Sequence, residues 1–189
     1  MRSAYIIGLI GTNASGKTYA ADYIVRTYGG VHITFSDYLA RALEAMNIEK
    51  SKQNMIKMSI AIRKEFGEEA LSRAVAHDVE RMEEQLMLVD GIRRTGDLER
   101  FKTMKRFRLV GIDADPKIRF TRMRGRREKS DDRNTAWEEF LEKENAPTEI
   151  TIPEVMKQAD YRIDNNGTTK ELEQKIDGIL ADLGIQKYS

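Results

Sequence analysis

Residues 11 to 18 read Gly11-Thr12-Asn13-Ala14-Ser15-Gly16-Lys17-Thr18, two glycines framing a turn that closes on Lys-Thr. That spacing suits the wrapping of an anion by backbone. The glycines let the chain curl, so successive N–H groups face α/β-phosphates. Lys17 has the reach for β/γ-phosphates, and the Thr18 hydroxyl is a hard oxygen ligand for Mg²⁺. The loop follows an apolar run at residues 4–10 and opens a helical pattern over residues 17–28 that includes Tyr19. The positive end of that helix then lies beneath the bound anion.

Other candidates sit where the elements require them. Five short apolar runs, at residues 4–10, 31–34, 86–89, 107–112 and 161–163, alternate with helical patterns. Several are continuous rather than alternating, as in strands buried on both faces, so they predict βαβ crossovers and a parallel sheet covered by helices. Ligands of such sheets gather at the carboxyl ends of the strands. After the first run comes the phosphate loop. After the second come Ser36-Asp37, after the third Asp90-Gly91-Ile92-Arg93-Arg94, after the fourth Asp113 and Asp115, and after the fifth Asn165-Asn166-Gly167.

Residues 36–85 hold three helical patterns. Ser36 or Asp37 is the expected N-cap of the first. The second, near residues 52–66, carries Met55, Ile56, Ile60 and Ile62, and the third Leu71, Val75, Val79 and Met82. These apolar residues are expected to pack in the core. His77 is expected to be exposed or satisfied within its helix, and His32 is assigned no role. From Pro116 to Arg133 the chain is rich in Lys and Arg, with Arg119, Arg122, Arg124, Arg126 and Arg127 among them. A lid of arginines would neutralise a transferring phosphoryl group and exclude water. Trp137, Phe140 and Leu141 are expected to pack together on the next helix.

Composition bounds the rest. The 189 residues are 40% hydrophobic and 33% charged, with a net charge of +1 and no cysteine. Disulfides and thiolate metal sites are excluded, and nothing pulls the whole chain toward nucleic acid or an anionic membrane. No interleaved aromatic platform supports nucleic-acid binding by the basic stretch, and no run approaches a membrane span. One cytoplasmic domain over residues 1–189 is expected, with no reading of oligomeric state.

Phosphate loops serve switches, motors and kinases alike. No Asn-Lys-x-Asp guanine-reading motif follows, and Asp90 precedes Gly91 rather than the Glu that AAA-type ATPases use to activate water. The chain is also short for their helical lid domain. The loop, Asp37, Val89-Asp90-Gly91-Ile92-Arg93-Arg94-Thr95, the arginine-rich stretch with Asp131-Asp132, and Asp164-Asn165-Asn166-Gly167 together resemble the P-loop nucleoside-monophosphate-kinase-like superfamily, which includes adenylate and dephospho-CoA kinases. The Ile62-Arg63-Lys64-Glu65-Phe66-Gly67 segment and Trp137-Glu138-Glu139-Phe140 look closest to its archaeal-type, dephospho-CoA-kinase-like group.

The resemblance implies a three-layer α/β/α fold with a five-stranded parallel sheet, a helical acceptor-binding region over residues 36–85 and a lid over 116–134. It implies ATP as phosphoryl donor, held by Gly11, Thr12, Asn13, Ala14, Ser15, Gly16, Lys17, Thr18 and Tyr19, with Asn165, Asn166 and Gly167 lining the adenine. Mg²⁺ would be held by Thr18 and, through water, Asp90. Asp37 takes the position of a general base or substrate-side residue. Asp90, Gly91, Arg93, Arg94 and Arg41 would serve a small phosphorylated acceptor, and Arg122, Arg126 and Arg127 the transferring phosphate. The acceptor implied is a (deoxy)nucleoside monophosphate; the alternatives are dephospho-CoA, or a regulatory or RNA-associated ATPase.

Overall fold

The computed structural model describes residues 4–125, 135–146 and 149–188. Strands β1 (Tyr5–Ile10), β2 (Val31–Thr34), β3 (Leu86–Asp90), β4 (Phe107–Asp113) and β5 (Tyr161–Asp164) form one parallel sheet in the order β2-β3-β1-β4-β5. Strand β1 is central, with Leu9 beside Asp90 of β3 and Ile10 beside Gly111 of β4.

The continuous apolar runs are explained by burial of both faces. Successive side chains point to opposite sides of a strand. In β1, Ile7 and Leu9 join one apolar cluster, and Ile6 and Ile10 the other; in β3, Leu86 and Leu88 face the first, Met87 and Val89 the second. The first face is covered by α1 (Lys17–Tyr28) and α9 (Thr169–Asp182), which place Ala20, Ile24, Leu172 and Ile176 on it. The second receives α2 (Phe35–Ala45), α4 (Ala70–Val79), α5 (Thr95–Lys102) and α8 (Ile152–Met156), with Phe35, Val75, Phe101 and Val155 buried there. Helix α3 (Lys52–Phe66) packs on α2 and α4. Helices α6 (Pro116–Gly125) and α7 (Trp137–Glu144) follow β4.

Three local expectations are corrected. The N-cap of α2 is Thr34, not Ser36 or Asp37: its side chain accepts from the Asp37 N–H while Asp37 Oδ2 accepts from the Thr34 N–H, a capping box. The apolar stripe of α3 is not its buried stripe. Ile60 is exposed, and the one residue of the helix that is buried is Arg63. On α7, Trp137 and Phe140 pack with Phe120, but Leu141 is exposed. Among the described residues no helix is long and apolar enough to cross a membrane.

Asp177 of α9 ties its layer together. It accepts from the hydroxyls of Tyr23 (2.8 Å) and Tyr28 (2.7 Å), and from Lys187 (2.8 Å). Burial works against its ionisation, but the bonds from Lys187, Tyr28 and Tyr23 outweigh it and hold the carboxyl below its ordinary range. A depressed carboxyl stabilises the fold above its unfolded value and loses that contribution as pH falls through the folded value. Asp177→Asn is therefore expected to lower the melting midpoint by about 3–10 °C near neutral pH. The gap to wild type should close in acid, which melting curves across pH will show.

Candidate functional site

The loop after β1 is shaped as an anion cradle. Ala14 and Gly16 have φ of 60° and 109°, so the chain reverses its curl and turns successive amides inward. Gly11 is required by crowding: a Cβ there would lie 2.1 Å from the Ile112 carbonyl oxygen. The Lys17 ammonium donates to the carbonyls of Gly11 (2.6 Å) and Thr12 (3.1 Å), at the base of the loop. Thr12 Oγ1 and Ser15 Oγ are buried with no hydrogen-bond partner among the described residues. Buried hydroxyls normally find partners, so these two fit a site whose remaining acceptors arrive with a ligand. Tyr19 turns away, its hydroxyl donating to Glu173 on α9.

The loop is braced from β5. The Asn165 amide, itself buried, donates to the Ser15 carbonyl at 2.7 Å, and its backbone N–H donates to the Asp113 carbonyl at 2.7 Å. Asn166 Oδ1 accepts from the Asp115 N–H at 2.7 Å. Arg122 reaches across from α6 to the Gly167 carbonyl (3.1 Å), and its Nη1 is buried without a hydrogen-bond partner among the described residues. Sequence reasoning paired Arg122 with the transferring phosphate, whereas it lies beside the 165–167 loop. A cavity of 440 Å³, lined by Asp164, Asn166, Gly167, Glu171, Gln174 and Lys175, opens on the α9 side of that loop; no phosphate-loop residue lines it.

On the other flank, Thr34 and Asp90 are register partners at the ends of β2 and β3. Asp90 is thus beside β1, with His32 Nε2 3.9 Å from its Oδ2. That contact falls on the histidine given no role from sequence. Asp37, in the first turn of α2, is exposed and already engaged in its capping box. Thr18 and Asp90 offer the hard oxygen donors that Mg²⁺ takes.

The arginines expected to serve an acceptor are held by carboxylates. Arg93 pairs with Glu149, and Thr151 donates to its backbone carbonyl (2.6 Å). Arg94 pairs with Glu68. Arg41 is drawn instead to Tyr38 and Asp78: its guanidinium lies 4.3 Å from the Tyr38 ring centroid and 3.6 Å from Asp78. Burial and the bond to Asp78 push the Tyr38 hydroxyl up to about 12.

Arg119 was one basic residue among many in the sequence, yet it is 4% exposed. It donates to the Ala114 carbonyl (2.9 Å) and the Asn13 carbonyl of the phosphate loop (3.4 Å), and it pairs with Glu144 of α7 at 2.6 Å. Phe140 and Met123 bury Ala14 at the loop's tip. Arg126 and Arg127, like Asp131-Asp132, lie outside the described residues. Arg63, Asp97 and Glu144 were not singled out as site residues, because only their three-dimensional pairing distinguishes them from surface charge.

The comparisons agree with this architecture. A family described as an AAA domain matches residues 10–140. A UPF0200 protein of Pyrococcus horikoshii is 31% identical over 181 residues, covering 93% of this chain and 96% of that protein. A UPF0200 protein of Methanocaldococcus jannaschii is 26% identical over 187 residues, covering 97% and 93%. Among solved structures, shikimate kinase from Bacteroides thetaiotaomicron superposes with a TM-score of 0.66 at 16% identity, covering 95% of this chain and 98% of that one. The Acinetobacter baumannii shikimate kinase in complex with shikimate gives 0.58 at 15% identity, with 98% and 97% covered. The fold is that of the P-loop kinases, and the chain belongs to the AAA-domain and UPF0200 families.

The brace predicts its own test. Asn165→Asp sets a carboxylate oxygen against the Ser15 carbonyl, leaving a buried acceptor without its donor, at a cost of about 1–3 kcal/mol. Affinity for a non-hydrolysable ATP analogue, measured by calorimetry, is expected to fall about tenfold or more.

Proposed function

We propose that this UPF0200-family chain is an ATP- and Mg²⁺-dependent phosphotransferase acting on a small nucleotide-type acceptor, most simply a (deoxy)nucleoside monophosphate. The observation that carries the reading is the grouping at the carboxyl end of the sheet. The phosphate loop follows β1, Asp90 ends the adjacent β3, and the turn after Asp90 bears Arg93 and Arg94. A donor cradle beside a pair of arginines is the layout of a two-substrate site. In this reading residues 1–189 form one kinase unit, with residues 36–85 serving the acceptor and 116–134 the lid.

Phosphoryl transfer asks for positioning and charge neutralisation more than covalent chemistry. The loop amides and Lys17 would hold the donor phosphates, with Thr18 and, through water, Asp90 holding Mg²⁺. Bound there, Mg²⁺ would neutralise charge on the β- and γ-phosphates. Arg122, beside Gly167, is better placed to cover the nucleoside end than the γ-phosphate, which leaves Arg126 and Arg127 as the lid's candidates for the transferring group. Arg93 and Arg94 would exchange their carboxylates for the acceptor's phosphate. Partly exposed pairs of this kind are worth about 0–1 kcal/mol, so a dianion held by two guanidinium forks displaces them.

The rival acceptor, dephospho-CoA, would present a ribose hydroxyl. Its oxygen must lose a proton as it bonds to the γ-phosphorus and the bond to the β–γ bridging oxygen breaks. A monophosphate oxygen is largely ionised at neutral pH and needs no base. Asp37 caps α2 through one carboxylate oxygen; as a cap alone it fits the monophosphate, and as a base as well it fits dephospho-CoA.

Two measurements decide. A panel of nucleoside monophosphates and dephospho-CoA, read as ADP release with ATP, should show transfer to one class, abolished by Lys17→Ala with the fold intact. Turnover of none of them, or hydrolysis stimulated by RNA, would overturn the reading. Asp37→Asn should lower turnover no more than Thr34→Val does if Asp37 only caps. A drop of about 10²-fold or more confined to Asp37→Asn would mark a general base and a hydroxyl acceptor.

A further inference from the structure

The one residue that α3 buries is a cation. Arg63, 6% exposed, meets Asp97, fully buried in the first turn of α5, through two parallel bonds of 2.9 and 3.0 Å. Burial raises the Asp97 carboxyl above its ordinary range, while the Arg63 guanidinium pulls the other way. Arg94 is the N-cap of α5 and makes no side-chain cap; its carbonyl accepts from the Asp97 and Leu98 N–H groups at 3.1 and 3.2 Å. Arg63 also donates to the Glu68 carbonyl, and the Glu68 side chain is the partner of Arg94.

We propose that Arg63 and Asp97 are positioning residues for the acceptor site, a buried pair that fixes the turn carrying Arg93 and Arg94 and locks it to the end of α3. The inference rests on the assignment of those two arginines to the acceptor. Asp97, gripped by Arg63, seats the first turn of α5 directly after the two arginines, and therefore sets where their guanidinium groups start. Arg63 sets the distance between that turn and the helical region before it, where Glu68 competes for Arg94. The donor loop has its own brace in Asn165, so the pair governs one half of the site.

A buried ion pair that serves stability alone can often be exchanged for apolar residues of similar size without loss of fold. The double variant Arg63→Met with Asp97→Leu uses that fact, and Asp97→Asn with Arg63→Lys provides a milder set. Calorimetry with AMP, CMP and dephospho-CoA, and separately with a non-hydrolysable ATP analogue, reads each half of the site. Amide exchange followed by NMR reads the turn itself. The expected result is an acceptor affinity at least tenfold lower with unchanged affinity for the ATP analogue, selective loss of protection at the Asp97 and Leu98 amides that donate to the Arg94 carbonyl, and partial retention in Arg63→Lys. Unchanged protection at those amides, or loss spread evenly over the sheet, would overturn the proposal. So would a parallel fall in both affinities. If the wild type bound none of the acceptors, the function proposed above would fail, and the exchange pattern would still decide whether the pair fixes the turn.

Discussion

A phosphate loop must hold its amides inward before any anion is there to reward them. Here that demand is met by the amide of Asn165 on the Ser15 carbonyl, a contact between parts of the chain 150 residues apart. Gly16 is confined by the same contact: a Cβ would lie 2.3 Å from Asn165 Nδ2, and its φ is already in the left-handed region. The order β2-β3-β1-β4-β5 follows the same logic. With β1 central, β3 and β4 flank the loop, and the segment after β5 reaches over the β4 end to clasp it.

Charge around this cradle is arranged in two ways. Arg63 and Arg119 are buried and fully engaged, each against a carboxylate and a backbone carbonyl. Arg93 and Arg94 are more exposed, and each holds a glutamate. Buried pairs are costly to disturb and fix geometry, whereas exposed pairs exchange readily. The division separates arginines that fix the framework from arginines whose partners can be exchanged.

The inner strands β1, β3 and β4 were legible because both their faces are buried, which leaves continuous apolar runs in the sequence. The phosphate loop was legible because its chemistry needs particular residues at fixed spacing. Helix α3 was misread for a physical reason. Periodicity marks an apolar face, but Met55, Met58 and Ile62 are only partly buried and Ile60 is exposed, while the helix sinks Arg63 toward a carboxylate on another element. No local pattern announces a charge that meets its partner 34 residues later. Asp37 shows the opposite case, a local pattern read one turn late. The run from Thr34 to Asp37 is itself a capping box, so α2 begins as soon as β2 ends. Asn165 was placed at the nucleotide by its position after β5. Its role as a brace came from side-chain geometry, which position alone does not encode.

Helix α3 has a consequence for how such a protein changes over generations. Its one buried side chain is a charged one, so its exposed positions are released from the volume constraints that govern a packed core. Residues such as Ile60 and Phe66, both exposed, can be exchanged one at a time without disturbing the seat of the helix. A lineage built this way can re-tailor the surface of that region while its hold on α5 stays the same, so long as the partners at positions 63 and 97 are inherited together.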